Sequence, residues 1–292
     1  INKKNLYFNE KMIIPTNSGV MAFDTTGTKL WTYFGGTVKN SPLADKIGNF
    51  YFTQYNNVIS VVSITNDGAL RWKYDAADNS GTGALPHAYG EYQSSPVFSG
   101  NNTIVAAIGN FVVKLSMDDG TKIWTYSPPE LSDISYVVAR YFRATPAGDS
   151  DGTIYVGSKA NAEGTMFSIK SDGSGLKWKV KIGADLYSSP AIGSDGTLYF
   201  GSEQSANEQR VHAYNATTGD KVWSDKMSGN GDITWSSPVI ASNGLLYIAN
   251  MNGDSSGQNG SVAAFETLST GLKSDAHSAC YRSDISRTGA IR

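Results

Sequence analysis

The sequence is poor in cysteine, in charge and in long apolar runs, and each shortage excludes a class of protein. Cys280 is the only cysteine among 292 residues, which excludes an internal disulfide and a cysteine-based zinc cluster. No apolar run approaches the ~18 residues of a membrane-spanning helix. The net charge is −2 and charged residues make up 17% of the chain. We therefore predict no nucleic-acid partner, no transmembrane segment and little disorder.

The motifs of several enzyme classes are also missing. The three histidines, His87, His212 and His277, do not have metal-ligand spacing. The sequence contains no P-loop, no dinucleotide-binding fingerprint and no serine nucleophile elbow. His212 lies in an alternating strand pattern, which assigns it to the surface or to packing between strands. We accordingly predict no metal ligands and no catalytic residues.

The tryptophans, in contrast, recur at regular intervals. Five of the six follow a glycine turn, as in Ala216-Thr-Thr-Gly-Asp-Lys-Val-Trp223, and they stand at Trp31, Trp72, Trp124, Trp178 and Trp223. Their spacings are 41, 52, 54 and 45 residues. A sixth copy of the turn, at residues 267–273, has no tryptophan. A recurrence of about 40 to 50 residues is typical of repeat arrays and propellers.

A second landmark has the same period. Ser-Pro or Thr-Pro pairs begin at Ser41, Ser95, Thr145, Ser189 and Ser237. Each is followed by two apolar residues, a polar turn and an alternating apolar run, as in Asp195-Gly-Thr-Leu-Tyr-Phe-Gly201. Because Asp-Gly between apolar runs is a strong hairpin signal, one unit predicts four strands. The first strand carries Ser-Pro and the fourth ends at the tryptophan.

The complete unit resembles the pyrroloquinoline-quinone-type β-propeller repeat, and residues 181–223 match its pattern best. The resemblance extends over nearly the whole chain and implies a quinoprotein-like fold. Tyr281-Arg282-Ser283-Asp284 and Thr288-Gly289 fit the family's C-terminal pattern, which implies the end of a propeller. Tryptophans at one position per repeat are expected to fill the gap between neighbouring sheets.

We therefore expect an all-β chain whose residues 1–292 form a single β-propeller of four-stranded antiparallel blades. Six turn copies predict six blades, with seven as the alternative. The resemblance implies a ring closed by the chain termini. The first copy lacks an upstream Ser-Pro strand, so either the C-terminal segment completes the first blade or N-terminal residues have been lost.

The resemblance also raises the question of a quinone cofactor. Alcohol dehydrogenases of this family stack the quinone on a disulfide between adjacent cysteines and hold Ca²⁺ with Glu, Asn and Asp near it. Cys280 is alone, and the recurring Asp-Gly pairs are explained by turns. We predict no functional quinone and no cofactor, although the sequence leaves room for a structural Ca²⁺.

Candidate ligand-binding residues cluster just before the Ser-Pro pairs. First strands of a propeller line its central channel, so the loops that lead into them form one face. Two of these loops are long, at residues 75–93 and 127–143. The candidates on this face are aromatic, cationic or acidic, namely Lys39, His87, Tyr89, Glu91, Tyr92, Arg140, Tyr141, Arg143, Tyr187 and Trp235. The alternative is that they plug the channel.

The function predicted from these residues is a non-catalytic scaffold that binds a protein or a glycan at this face. A polysaccharide lyase is the alternative, in which His87 or Tyr89 would act as base and Arg140 or Arg143 would neutralise a uronate. A quinone-dependent dehydrogenase is a third hypothesis. Because members of the family are mostly exported, we expect a monomeric protein of the bacterial periplasm or cell surface.

Overall fold

The computed structural model describes residues 6–8, 10–76, 94–131, 141–160, 163–203, 209–227, 231–232, 236–252 and 260–281. Its regular elements in these ranges are short antiparallel strands and a one-turn 3₁₀ helix at Pro129–Leu131. The prediction of an all-β chain is confirmed.

The described strands form six sheets that follow one another along the chain. The first sheet contains β1 (Leu6–Phe8), β2 (Lys11–Thr16), β3 (Gly19–Phe23) and β4 (Lys29–Phe34). The second contains β5 (Leu43–Ala44), β6 (Phe50–Asn56), β7 (Val58–Ile64) and β8 (Leu70–Asp75). The third contains β9 (Val97–Phe98), β10 (Thr103–Ile108), β11 (Phe111–Ser116) and β12 (Lys122–Tyr126).

The last three sheets follow a similar plan, except that the fourth has five strands and the sixth has no outer strand among the described residues. The fourth contains β13 (Tyr141–Phe142), β14 (Ala147–Gly148), β15 (Ile154–Lys159), β16 (Thr165–Ile169) and β17 (Leu176–Lys181). The fifth contains β18 (Ala191–Ile192), β19 (Thr197–Glu203), β20 (Gln209–Asn215) and β21 (Lys221–Lys226). The sixth contains β22 (Gly231–Asp232), β23 (Val239–Ile240), β24 (Leu245–Asn252) and β25 (Gly260–Glu266).

The four-stranded unit agrees with the predicted one. In sheets two to five, the strand after the Ser-Pro or Thr-Pro pair is the inner strand, and the second, third and outer strands follow it in order. The outer strands continue beyond the tryptophan; β21, for example, extends to Lys226. The fold is a β-propeller, whereas its number of blades and its closure by the termini stay predictions.

Hydrophobic clusters join each described sheet to the next. Sheets one and two share Ile13 and Phe52, and sheets two and three share Val61 and Ile104, all fully buried. Further clusters join the third to the fourth, the fourth to the fifth and the fifth to the sixth sheet. Burying both faces of these sheets is the main stabilising term of the fold.

Tryptophans connect neighbouring sheets at the outer strands. Each lies on the turn glycine of the following sheet and donates its indole N–H to a carbonyl of that turn, the pairs being Trp31 with Asn66, Trp72 with Met117, Trp124 with Ser171 and Trp178 with Ala216. At Gly120, φ is +73° and a Cβ atom would come within 2.6 Å of the Trp72 ring. The expectation that these tryptophans fill the gaps between sheets is confirmed for these four.

A belt of hydroxyl groups explains the Ser-Pro and Thr-Pro pairs. The backbone N–H of each Ser or Thr donates to the hydroxyl of the next sheet, and the donor–acceptor pairs are Ser41 with Ser95, Ser95 with Thr145, Thr145 with Ser189 and Ser189 with Ser237. These four hydrogen bonds are 3.0 to 3.2 Å long. They hold the inner strands of sheets two to six next to one another around the channel.

This belt predicts the result of a nearly isosteric substitution. Thr145→Val removes the oxygen that accepts the Ser95 N–H and leaves that buried donor without a partner. We expect a loss of about 1–3 kcal/mol in the free energy of unfolding, measured by urea denaturation. Thr145→Ser keeps the hydroxyl and should cost less. A larger loss for serine than for valine would contradict the role of the belt.

The C-terminal segment does not complete the first sheet in the part that is described. The inner strand of that sheet is β1, from the N-terminal region. Residues 271–281 contact other inner strands instead: Ser278 pairs with Gly148, and Ile192 bonds to Ala279 and Lys273. The expectation that the C-terminal segment completes the first blade is therefore wrong for residues up to 281. Residues 282–292 lie outside the described residues.

Candidate functional site

The candidate site lies at the end of the channel where the chain runs into the inner strands, which we call the mouth. The C-terminal segment lies at the opposite end, where the inner strands turn into the second strands; there Ser194 bonds to Gly271 and Lys273 forms an ion pair with Asp149. From there the segment reaches the belt, where the hydroxyl of Tyr281 lies 2.9 Å from that of Ser41.

Pairs of residues just before the inner strands divide between core and mouth. The first member of each described pair is buried between sheets, and these residues are Val38, Phe142 and Leu186. The second member is half-buried, and these residues are Lys39, Arg143 and Tyr187. Alternation along an extended chain explains the division, because successive side chains point to opposite sides.

Short additional pairings hold these loops on the second strands. β13 pairs with the end of β15, so that Tyr141 lies opposite Lys159. In the fifth sheet, an isolated bridge joins Asp185 to Glu203. These backbone hydrogen bonds place the loop side chains beside the last residues of the second strands, and the geometry of the mouth follows from the sheets themselves.

Five side chains from the fourth and fifth sheets form the mouth cluster: Tyr141, Arg143, Lys159, Asp185 and Tyr187. The Arg143 guanidinium lies 5.1 Å from the centre of the Tyr187 ring, and the Lys159 ammonium lies 5.7 Å from that of Tyr141. The Tyr187 hydroxyl donates to Asp185 Oδ2 over 3.4 Å. Lys159 Nζ is 3.9 Å from the same oxygen. Two cations thus lie over aromatic rings, and a carboxylate beside them accepts from a tyrosine hydroxyl.

The electrostatics of Tyr187 bear on what the cluster can do chemically. Burial raises the pKa of the Tyr187 hydroxyl, and the negative charges of Asp185 and Glu203 add to the rise, against a smaller opposing effect of Arg143. A general base must lose its proton near the working pH. Tyr187 is therefore held in its neutral, hydrogen-bonding form, which suits binding better than proton abstraction.

The structure places four of the ten predicted ligand-binding residues. It brings Tyr141, Arg143 and Tyr187 together in the mouth cluster, where Tyr141 is buried and the other two are half-buried. Lys39 is half-buried at the equivalent position of the second sheet. The other six predicted residues lie outside the described residues, namely His87, Tyr89, Glu91, Tyr92, Arg140 and Trp235.

Sequence reasoning missed Lys159 and Asp185. Lys159 ends the second strand of its unit, directly after the buried residues 154–158. A charged residue at that repeat position is the signal that was available, because the end of a second strand lies beside the loop that leads into the inner strand. Asp185 stands two residues before Tyr187 and shares its face of the extended chain.

Comparison with known families agrees with this architecture. A family model described as "Outer membrane protein assembly factor BamB", built on the pyrroloquinoline-quinone-type repeat, matches residues 16–140 and 129–271. The chain belongs to this BamB-like family. The predicted relation to quinoprotein-like propeller repeats is confirmed. No curated protein matches the sequence.

Solved structures show the same fold at low sequence identity. BamB from Moraxella catarrhalis is 16% identical with a TM-score of 0.64, and the match covers 88% of this chain and 73% of that one. A Bacteroides caccae protein of unknown function is 17% identical (TM-score 0.56; 89% and 91% covered). Quinohemoprotein alcohol dehydrogenase from Comamonas testosteroni is 13% identical (TM-score 0.61; 86% and 52% covered).

The absence of a quinone cofactor stays a prediction, and two observations on the described residues of this BamB-like propeller bear on it. Cys280 is buried in the C-terminal segment, where its thiol donates to the carbonyl of Tyr281. In the described ranges, no three or more His, Cys, Asp or Glu side chains are grouped to hold a metal ion.

No described helix is long and apolar enough to cross a membrane.

Proposed function

We propose that this BamB-like propeller is a non-catalytic scaffold that binds a protein ligand at the mouth. The observation that carries the proposal is the mouth cluster, in which Arg143 and Tyr187 are half-buried and held by neighbours. Arginine and tyrosine supply a large share of the binding energy in protein interfaces. Side chains that are fixed before binding lose less conformational entropy on binding.

The placement of Arg143 favours a protein over a glycan. A sugar ring that stacks on an aromatic side chain needs a free ring face, and the guanidinium of Arg143 lies over one face of Tyr187 at 5.1 Å. The same guanidinium presents N–H donors that match a carboxylate or a backbone carbonyl of a peptide. Lys159 and Asp185 add one charge of each sign beside it, which would fix the register of a polar peptide.

The proposal extends to where the protein acts. The family description and one solved relative carry the name of an outer-membrane-protein assembly factor. A scaffold of this kind would act outside the cytoplasm, in the bacterial periplasm or at the cell surface, as a monomer with its mouth available to a partner. The test of location is fractionation of cells that express the full-length gene product, with the periplasmic fraction as the expected site.

Substitution of Arg143 tests the mouth. The full chain is applied to arrays of immobilised peptides and of glycans, and Kd is then measured for each ligand found. We expect peptide ligands, with binding at least about tenfold weaker for Arg143→Ala, as is usual for an interface arginine. Lys46→Ala is the matched control, because Lys46 is an exposed cation in a turn at the opposite end of the channel.

Three results would overturn this proposal. If ligands were found only on the glycan array, the ligand of the mouth would be a glycan and not a protein. Equal loss of binding in the Arg143 and Lys46 variants would move the site away from the mouth. Release of unsaturated products from uronic-acid polysaccharides, abolished by Arg143→Ala, would establish the lyase alternative instead.

A further inference from the structure

Lys114 is a buried cation in the third sheet, with no carboxylate beside it among the described residues. It lies on β11 and is 9% exposed, on the same face as Val112, which packs against the fourth sheet. Its one described hydrogen bond runs from Nζ to the carbonyl oxygen of Ser99 over 3.4 Å, which is longer than usual. Because an ammonium has three N–H donors, Lys114 has donors available for a further acceptor.

The hydroxyl of Ser99 is a second buried polar group at this place. Ser99 is 3% exposed, and its Oγ atom has no hydrogen-bond partner in the described chain. Ser99 begins a tight turn at the end of the channel opposite the mouth, and Asn101 and Asn102 in that turn are exposed. The Lys114 ammonium, at the carbonyl of Ser99, therefore lies close to solvent and within reach of a small ion.

The carboxylates of the corresponding turn in the fourth sheet are paired with other lysines. Asp149 forms an ion pair with Lys273. Asp151 forms one with Lys177. Burial lowers the pKa of the Lys114 ammonium, and no described charge offsets that effect. An anion bound beside Nζ would favour the protonated form and compensate for its lost hydration.

The second sheet shows which group balances a cation at the equivalent place. By the pairing of the inner and second strands, Asp45 is the equivalent of Ser99. Tyr51 is likewise the equivalent of Val105. The cation there is Arg71, which donates to the Tyr51 hydroxyl, and that hydroxyl donates to Asp45 Oδ2 over 2.9 Å. A carboxylate is thus part of the network in the second sheet.

The third sheet has a cation but no carboxylate at these positions. Lys114 stands where the second sheet has Ser63 and the fourth has Ser168. The fourth sheet also has an acid, Asp149, at the position of Ser99. The repeat therefore points to a carboxylate as the group that complements Lys114, with the Ser99 hydroxyl as a further donor.

We propose that Lys114 and Ser99 form an anion-binding site that takes the carboxylate group of a small organic acid. The ammonium would donate charge-assisted hydrogen bonds to the carboxylate, and the Ser99 hydroxyl would donate another. The ligand would thus supply the charge that Asp45 supplies in the second sheet. This site lies at the opposite end of the channel from the mouth and does not depend on the function proposed for the mouth.

Acetate is the probe that tests the site. Sodium acetate is titrated into the full chain at constant pH and ionic strength, and the amide signals of residues 99–103 and 114 are followed by NMR. Chloride and inorganic phosphate are titrated in parallel. We expect saturable changes with acetate, and a lower Kd for acetate than for either inorganic anion.

Three substitutions distinguish this site from general attraction of anions. Lys114→Met keeps a long side chain without the charge, so acetate binding should be at least about tenfold weaker. Ser99→Asp places a carboxylate within the chain, so it should weaken acetate binding equally and raise the unfolding temperature. Lys170→Met is the matched control, because Lys170 is exposed in a turn at the same end of the fourth sheet; it should leave binding unchanged.

Several outcomes would overturn the proposal. Changes that do not saturate, or that persist in Lys114→Met, would remove the site. Equal losses in Lys114→Met and Lys170→Met would show only general attraction to positive charge. Tighter binding of phosphate or chloride would exclude a carboxylate as the ligand. Ser99→Asp keeps the lysine and adds its counter-ion, so unchanged acetate binding in this variant would also contradict the site, even if Lys114→Met did not fold.

Discussion

Trp72→Ala is expected to lower the free energy of unfolding by about 3–5 kcal/mol, the usual cost of removing a buried aromatic side chain. Trp72 is 7% exposed and lies in the cluster shared by the second and third sheets. Its ring is 5.9 Å from that of Tyr51, and its indole N–H donates to the carbonyl of Met117 over 3.0 Å. The substitution therefore leaves both a cavity and an unpaired carbonyl.

Urea denaturation followed by circular dichroism measures this loss without depending on tryptophan emission. Trp72→Phe keeps an aromatic ring but removes the indole donor, so it should fall between alanine and wild type. Trp223→Ala is the matched control before the sixth copy of the turn, where a Cβ atom on Gly271 would meet no described atom within 4 Å. Trp223 stacks on Phe265 instead. Equal losses at Trp72 and Trp223 would contradict the role of the turn glycine.

The contacts between tryptophans and turn glycines show which parts of this fold can be predicted from the sequence and which cannot. The turn and the following tryptophan are adjacent in sequence, so the repeat and its four strands could be predicted from them. The glycine that Trp72 actually contacts is Gly120, 48 residues later in the next unit. Sequence spacing does not reveal such a contact, because it depends on how two sheets pack face to face.

The sixth copy of the turn also shows which features of the fold the sequence does not predict. Its missing tryptophan was visible in the sequence, but the path of the chain after Gly271 was not. With no indole to hold an outer strand against the next sheet, Lys273 forms an ion pair with Asp149 and the segment follows the inner strands. The sequence pattern therefore predicted where the repeat changes, and packing decided what replaces it.

The mouth was predicted in position and only partly in composition. Arg143 and Tyr187 were found because each stands two residues before a Ser-Pro or Thr-Pro pair. Lys159 comes from a different strand and meets them only through the pairing of β13 with β15. A site built from two loops and a strand end needs the register of that pairing, which local patterns do not contain.

The interior of the fifth sheet makes the protein sensitive to acid through His212. Burial lowers the pKa of His212 to about 4, and the positive charges of Arg210 and Lys221 act in the same direction. The ring stacks on Phe200 at 5.1 Å, and Nε2 lies 2.7 Å from the hydroxyl of Ser202. The sequence left two alternatives for this histidine, the surface or packing between strands, and its side chain is buried and packed between strands.

The expected result is a loss of about 3 kcal/mol in the free energy of unfolding between pH 7 and pH 4 through His212 alone. In the unfolded chain its pKa returns to about 6.5. The unfolded state therefore binds a proton in this range while the folded state does not, so stability falls as the pH falls. The contribution of His212 levels off below its folded pKa of about 4.

A double variant separates this effect from the other titrating groups. His212→Phe with Ser202→Ala keeps a ring against Phe200 and removes both the titrating group and the hydroxyl that depends on it. Urea denaturation at pH 7 and pH 4 should show a pH-dependent loss about 3 kcal/mol smaller than in the wild type. Carboxyl groups such as Asp151 are intact in both proteins; burial raises the pKa of Asp151, but hydrogen bonds from Lys177 and Thr153 outweigh it and bring the value to about 2. Such a carboxyl group loses its stabilising charge only at still lower pH. If the double variant lost as much stability between pH 7 and pH 4 as the wild type, His212 would be protonated within the fold without penalty.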